Sequence, residues 1–395
     1  MQQLKALFTN KSVKELIIVG GLSLLTRLAI ITLIVIFSHA GGNISERVGT
    51  SLSHWDSGWY LKIAEHGYDN TYPELPPDHL LCNSGTGYCQ RNFAFFPAYP
   101  VLLRTTSDLT GLSLNVSGVV ISNLAFVLTA VVLYRFALEL FGQKTAKYSL
   151  LALWLWPAGY IFSGVMTESL FMLLLISICY LVFRKKYLAA GILGALITAT
   201  RNTGILVLVP MVLLYLYNNR DINLRNWRKT DKKFLLGLVL VPIGLVAFML
   251  YLQNRIGDPL AFISIQKYWQ KPVLDLNPLF GIYFAIFDHR VENSIIFHIY
   301  DLVYFFGTVF LFWYAVAKKA MPFSLSVILS FLLVPVSAGT LLALSRYTAV
   351  LFPVYLLLGR LGAKHQRLAI PVYGFCLLLM VFLAYFYSRE HWITV

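Results

Sequence analysis

The sequence predicts an all-α polytopic membrane protein, and two observations predict it. The chain is 58% hydrophobic and 15% aromatic but only 13% charged, with a mean hydropathy of +0.69. A soluble chain of this size needs far more polar surface. The apolar residues also fall into many stretches near the roughly 20 residues that a helix needs to cross a hydrocarbon core of about 30 Å. Strand-type alternation is absent, which argues against a β-barrel.

Taken in order, the apolar runs give about eleven membrane segments: 16–37, 115–141, 145–162, 167–183, 187–200, 203–217, 234–253, 295–317, 322–341, 347–361 and 368–388. The pairs 187–200/203–217 and 322–341/347–361 bend around polar turns. The run 16–37 is too long for a cleaved signal and lacks a small-residue cleavage site, so it reads as a retained anchor.

The net charge of +14 does not indicate nucleic acid, because the cations sit in short loops between apolar runs, as topology signals do. Lys5, Lys11 and Lys14 precede the first segment and place the N-terminus in the cytoplasm. Alternation then puts Lys144 and Lys147, Arg184 to Lys186, Arg220 to Lys233, Lys318 and Lys319, and Arg360 to Arg367 on the same side. Of the acidic residues, Glu15, Glu139, Asp221 and Asp231 lie inside, and the rest are assigned outside. Two long segments, about 38–114 and 254–294, are then extracytoplasmic, and function should concentrate there. In the second, Asp258 as N-cap and Pro259 at the first helical position should start a short helix towards Trp269.

Within the first long segment, Leu52, Trp55, Trp59 and Ile63 share one face at helical spacing and predict an interfacial amphipathic helix. Asp56 and Tyr60 fall on an adjacent face, either lining a cavity or simply solvated. Arg201 and Arg346 break the charge rule by lying at outer turns. An arginine near hydrocarbon costs roughly 2.5–3.5 kcal/mol on insertion scales, so each should have a phosphate ligand or an ion-pair partner such as Glu168. Glu168 opens the segment 167–183, where an acid suits the helix dipole and Thr167 or Ser163 is available as a cap. Arg27 and Arg135 lie inside apolar runs and are expected to snorkel to an interface.

The histidines His54, His66, His289 and His298 show no metal-site spacing, and no Gly-rich phosphate loop or nucleophile motif is present. Neither a soluble cofactor nor a metal site is therefore expected. Cys82 and Cys89 flank a Gly-containing loop and fit either a disulfide or two unrelated thiols; Cys179 and Cys376 read as core packing. The block Phe95-Phe96-Pro97-Ala98-Tyr99-Pro100 gives a rigid aromatic segment, suited to packing the outer loop or to lining a sugar or lipid site.

Several of these residues, taken in order, resemble the PIG-V-type mannosyltransferase family, which are GT-C glycosyltransferases. The resemblance runs from Trp55-Asp56-x-x-x-Tyr60-x-x-Ile63-Ala64-Glu65-His66-Gly67-Tyr68 to Asn92-Phe93-Ala94-Phe95-Phe96-Pro97. It continues through Thr167-Glu168-Ser169-Leu170-Phe171, Arg201-Asn202-Thr203-Gly204 and Arg346-Tyr347. It implies a single GT-C membrane domain over residues 1–395, and inverting transfer of a sugar, mannose for preference, from a polyprenyl-phosphate donor to an acceptor hydroxyl at the extracytoplasmic face. The acceptor would be a glycan, glycolipid or protein, and the setting a bacterial cytoplasmic membrane, or the endoplasmic reticulum in a eukaryote. Carried over by position, Asp56 becomes the general base, and Arg346 and Arg201 face the donor phosphate. His54, Tyr60, Glu65, His66, Asn92, Glu168 and Tyr347 become substrate-site lining. His54 stands where eukaryotic relatives are expected to carry Arg, which leaves the acceptor open. A lipid-linked sugar flippase or a non-catalytic subunit of a glycosylation complex are the rival classes, although a transporter should gather its ionisable residues at the bilayer midplane.

Overall fold

Apolar helices fill most of a computed structural model that describes residues 10–70, 82–83, 88–220, 230–266, 294–334 and 343–391. The helices are α1 (Asn10–Phe37), α2 (Ile44–Ser51), α3 (Ser57–His66), α4 (Ala98–Thr110), α5 (Leu114–Phe141), α6 (Gln143–Trp154), α7 (Glu168–Phe183), α8 (Tyr187–Thr198) and α9 (Leu208–Asn218). They continue as α10 (Lys232–Leu240), α11 (Ile243–Ile256), α12 (Ala261–Ser264), α13 (Ser294–Ala317), α14 (Phe323–Ser326), α15 (Leu344–Ala349), α16 (Pro353–Lys364) and α17 (Gln366–Ser388). The strand content of the described residues is a two-residue antiparallel ladder, β1 (Cys82–Asn83) with β2 (Tyr88–Cys89). Its register opposes Cys82 to Cys89.

Five helical stretches are long and apolar enough to cross a membrane: Val13–Phe37, Leu114–Phe141, Lys232–Ile256, Tyr300–Ala317 and Gln366–Ser388. Shorter apolar helices, among them Glu168–Phe183 and Tyr187–Thr198, pack between them. The outward faces of α1 and α17 are apolar: Leu25, Ile36, Ile370 and Leu378 are all exposed. Water would penalise that surface and lipid would not. Inside the bundle, α6 packs along α16, α5 along α6 and α7, and α8 against α7 and α10. Small residues set the closest approaches. A Cβ on Gly191 of α8 would lie 2.5 Å from the Gly237 carbonyl of α10, so only glycine fits that crossing.

The interruptions matter more than the spans. The expected segment 145–162 is helical to Trp154, then breaks around Pro157 into a 3-10 turn, Gly159–Ser163. The expected amphipathic helix over Leu52–Ile63 does not form as one piece. A capping box between Asn43 and Glu46 starts α2, which ends at Ser51, and Trp55 takes a positive φ of 55° before α3 begins. One long-range and one local bond hold this break: Val165 N–H donates to the Leu52 carbonyl at 2.8 Å, and Ser57 Oγ donates to the His54 carbonyl at 2.7 Å. Helices α2, α3 and α4 consequently dock on one end of α5.

Other sequence expectations are corrected at depth. Arg27 does not snorkel. It is fully buried, donating from Nη1 to the Gly159 carbonyl at 2.6 Å with its guanidinium 4.0 Å from the Phe126 ring centroid. The break after Trp154 brings the first carbonyl of the 3-10 turn to the guanidinium, so the cation finds a partner without reaching water. Asp301 is not in an outer loop but buried within α13. Asp258 accepts from Leu260 N–H at 2.9 Å, and the short helix starts three positions later, at Ala261. Trp269, His289 and most of the second long segment lie outside the described residues.

Candidate functional site

Four charged side chains, distant in sequence, meet where the broken elements converge. Asp56 is the N-cap residue of α3 but makes no capping bond, so its carboxylate is available for other contacts. Glu168 is the first residue of α7, and the expectation that Thr167 or Ser163 would cap that helix fails. Thr167 Oγ1 instead lies 3.3 Å from Tyr60 Oη, and Ser163 Oγ donates to Asn123 Oδ1 at 2.8 Å. Arg201 sits between α8 and the 3-10 turn Asn202–Val207, which the Ala98 N–H to Ala199 carbonyl bond (2.9 Å) ties to the start of α4. Arg346 lies in the short α15.

Their geometry forms a chain. Arg346 Nη2 donates to Asp56 Oδ2 at 2.7 Å and to Glu168 Oε1 at 2.9 Å, and Arg346 Nε reaches the same Oε1 at 3.1 Å. Arg201 Nη1 reaches that oxygen too, at 3.0 Å. Glu168 Oε1 therefore accepts three guanidinium bonds, while Oε2 has no hydrogen-bond partner among the described residues. Two cations and two anions leave the group neutral, which is what allows it to be buried.

The two acids are not equivalent. The Glu168 side chain is 1% exposed and that of Asp56 30%, so a substrate can reach Asp56 but not Glu168. The arginines keep donors in reserve: among the described residues, Arg346 Nη1 and Arg201 Nε and Nη2 make no hydrogen bond. Burial would pull the Arg201 guanidinium down, yet the Glu168 carboxylate outweighs it and holds the group above its ordinary value. Arg201 also lies 5.5 Å from the Tyr347 ring centroid and 5.9 Å from that of Phe171. Burial pushes the Tyr60 phenol up, so it stays a neutral hydroxyl beside the charges.

The other residues singled out in sequence separate into groups. His54 is buried, with Nδ1 3.1 Å from Glu390 Oε1 and its ring edge-to-face with Tyr387. Burial pulls its imidazole below the ordinary value, against the opposing effect of Glu390. Asn92 is committed to the loop backbone, donating to the Gly67 carbonyl and accepting from Asp69 N–H. Glu65 and His66 are exposed at the end of α3 and pair with each other at 3.5 Å rather than joining the charge cluster. The aromatic block packs the loop: Phe95 stacks on Trp59 and meets Tyr60 edge-on, and Phe96 contacts Phe248 and Phe262. Among the described residues no group of three His, Cys, Asp or Glu side chains is placed to hold a metal.

Sequence reasoning missed Asp301. Its carboxylate accepts from Ser345 N–H at 3.3 Å and faces the amides of Leu344 and Ala343, holding the start of α15. Ala343 has φ +67°, a left-handed conformation unusual for alanine. The signal was present: an acid inside an apolar run is a functional position by default.

The fold matches solved structures over nearly the whole chain. ArnT from Cupriavidus metallidurans, bound to undecaprenyl phosphate, aligns with a TM-score of 0.53 at 14% identity, covering 94% of this chain and 76% of that one. Its apo state aligns with a TM-score of 0.52 at 13% identity. At that identity the likeness establishes the GT-C fold. In sequence, the chain is 31% identical over 164 residues to the GPI alpha-1,6-mannosyltransferase 2 of Cricetulus griseus and of Homo sapiens. Each alignment covers 39% of this chain but only 29% of the relative, so most of those relatives' length has no counterpart in the match. The family described as Mannosyltransferase (PIG-V) matches residues 28–260, a stretch that holds Asp56, Glu168 and Arg201 and stops before Arg346. That match spans more than half of the chain, which belongs to this family.

Proposed function

We propose that this protein is an inverting membrane glycosyltransferase that moves a sugar, mannose for preference, from a polyprenyl-phosphate donor to an acceptor hydroxyl at the extracytoplasmic face. The observation that carries the proposal is the pairing of a reachable carboxylate, Asp56, with Arg346, whose remaining N–H groups and those of Arg201 suit a phosphate. The donor lipid enters between helices, and its phosphate meets the free edges of the two guanidinium groups. The acceptor approaches past the half-buried loop that carries Asp56.

In the reaction the acceptor oxygen bonds to the anomeric carbon and its proton passes to Asp56. The bond from that carbon to the phosphate oxygen breaks, and its electron pair leaves on the phosphate. A positioned base of this kind contributes roughly 10²–10⁴-fold. Protonation of Asp56 removes the negative partner from Arg346 Nη2 as negative charge grows on the departing phosphate. The cation is thereby released towards the charge it must stabilise. Glu168, unreachable by substrate, holds both arginines in place throughout.

The test is incubation of the purified, folded protein with polyprenyl-phosphate mannose and a panel of hydroxyl acceptors, following donor consumption and release of polyprenyl phosphate. Turnover with at least one polyprenyl-phosphate sugar is expected. Folded protein that consumes no such donor, but moves it across a vesicle membrane, would establish the flippase class instead.

A further inference from the structure

The far ends of the helices carry a second built feature. Along α13, Asp301 marks the end near Arg346 and Ala315 the opposite end, roughly 21 Å away at about 1.5 Å per residue. At that opposite end a cavity of about 600 Å³ opens where α5, α9, α13 and α16 finish. Its walls include Phe141, Tyr217, Arg220, Lys319, Phe323 and Arg360, and no acidic residue lines it among the described residues. Three cations with no carboxylate contrast with the charge cluster, where two arginines are neutralised by two acids.

The backbone commits these cations to the cavity. Lys319, two residues past the end of α13, has φ +46°, where glycine is the ordinary residue, while Ala320 N–H closes the helix onto the Ala315 carbonyl at 2.9 Å. Arg360 Nη1 donates to the Ala320 carbonyl, and its guanidinium lies 5.2 Å from the Phe141 ring centroid. Arg220 lies 5.7 Å from the Tyr217 ring centroid. The mouth is apolar: Met321, Pro322 and the exposed Phe323 line it beside the cations.

We propose that this cavity binds the phosphate of an anionic phospholipid, with the acyl chains leaving past the apolar mouth at Phe323. Cations select the anionic head, and the apolar mouth beside them selects a lipid over a free anion. The basic loops assign this end to the cytoplasmic side, where a basic recess between helices faces the anionic leaflet. The inference is independent of the transfer chemistry at Asp56.

The experiment titrates the purified full chain, in neutral detergent, with phosphatidylglycerol, and reads retained lipid by native mass spectrometry. Phosphatidylcholine and inorganic phosphate serve as parallel arms. Phosphatidylglycerol is expected to bind in preference to phosphatidylcholine, and inorganic phosphate should not displace it. Arg220→Gln with Lys319→Gln should weaken that binding by about fivefold per charge removed. Both residues are exposed, and an unchanged melting curve confirms the fold. Lys185→Gln with Lys186→Gln removes the same charge from exposed sites outside the cavity and should leave binding intact. Equal losses in the two double variants, unchanged affinity in the cavity variant, equal binding of phosphatidylcholine, or displacement by inorganic phosphate would each overturn the proposal.

Discussion

Arg346 and Arg27 are both buried arginines, but the protein treats them in opposite ways. Arg346 is met by two carboxylates drawn from segments 290 and 178 positions away in the chain. Arg27 is met by a single backbone carbonyl and the face of Phe126, and its Nε and Nη2 have no hydrogen-bond partner among the described residues. A neutral, fully charged cluster with one reachable acid is an arrangement for handling further charge. A lone guanidinium sealed among apolar side chains closes a gap left by a broken helix. The difference separates a site from a structural filler, and mutation distinguishes the two.

The largest stability effect should come from Glu168→Gln. It leaves Arg201 without its carboxylate and Arg346 with Asp56 alone, and breaking a buried pair in this way costs about 3–5 kcal/mol. Denaturant or thermal unfolding in detergent measures it, and a loss below about 1 kcal/mol would mean that Glu168 is not the anchor. Arg346→Lys comes next. A single ammonium cannot span Asp56, Glu168 and a phosphate together, so kcat/KM for the donor should fall by about 10²–10³. Steady-state kinetics over a donor series reads that change.

Arg27→Met should act quite differently. It removes the charge-assisted bond to the Gly159 carbonyl and costs about 1–3 kcal/mol in stability, while turnover per folded molecule stays unchanged. A turnover loss comparable to that of Arg346→Lys would erase the distinction between the two arginines. The smallest effect belongs to Asp301→Ala, which removes the carboxylate that holds the start of α15, a loss of about 0.5–2 kcal/mol. Because α15 carries Arg346, donor KM should rise with it, and Asp301→Asn should recover part of the loss.

Much of this architecture is legible in the sequence, because hydrophobic run length and loop charge are local quantities. Arg201 and Arg346 stand out for the same reason: a cation at the wrong side of a charge pattern is visible without any structure. Glu168 is legible both as a dipole partner for its helix and as an ion-pair partner for an arginine, but nothing within its own segment reveals that both arginines meet on one of its oxygens. The turn at Leu52–Asp56 escaped the spacing argument because helical periodicity assumes an unbroken helix. Here the bond from Val165 N–H to the Leu52 carbonyl, made across the fold, interrupts it. The burial of Arg27 is hidden from sequence in the same way: its partner carbonyl is placed by a distant helix that breaks after Trp154.

The most direct test of the central claim is donor consumption by Asp56→Asn, measured beside the wild-type protein at matched folded concentration. Asparagine preserves the size of the side chain and can still accept from Arg346, but it cannot take a proton from an acceptor hydroxyl. The account predicts a protein that folds, retains donor binding and loses transfer by about 10²–10⁴-fold. Transfer at the wild-type rate would contradict the assignment of Asp56 as the base.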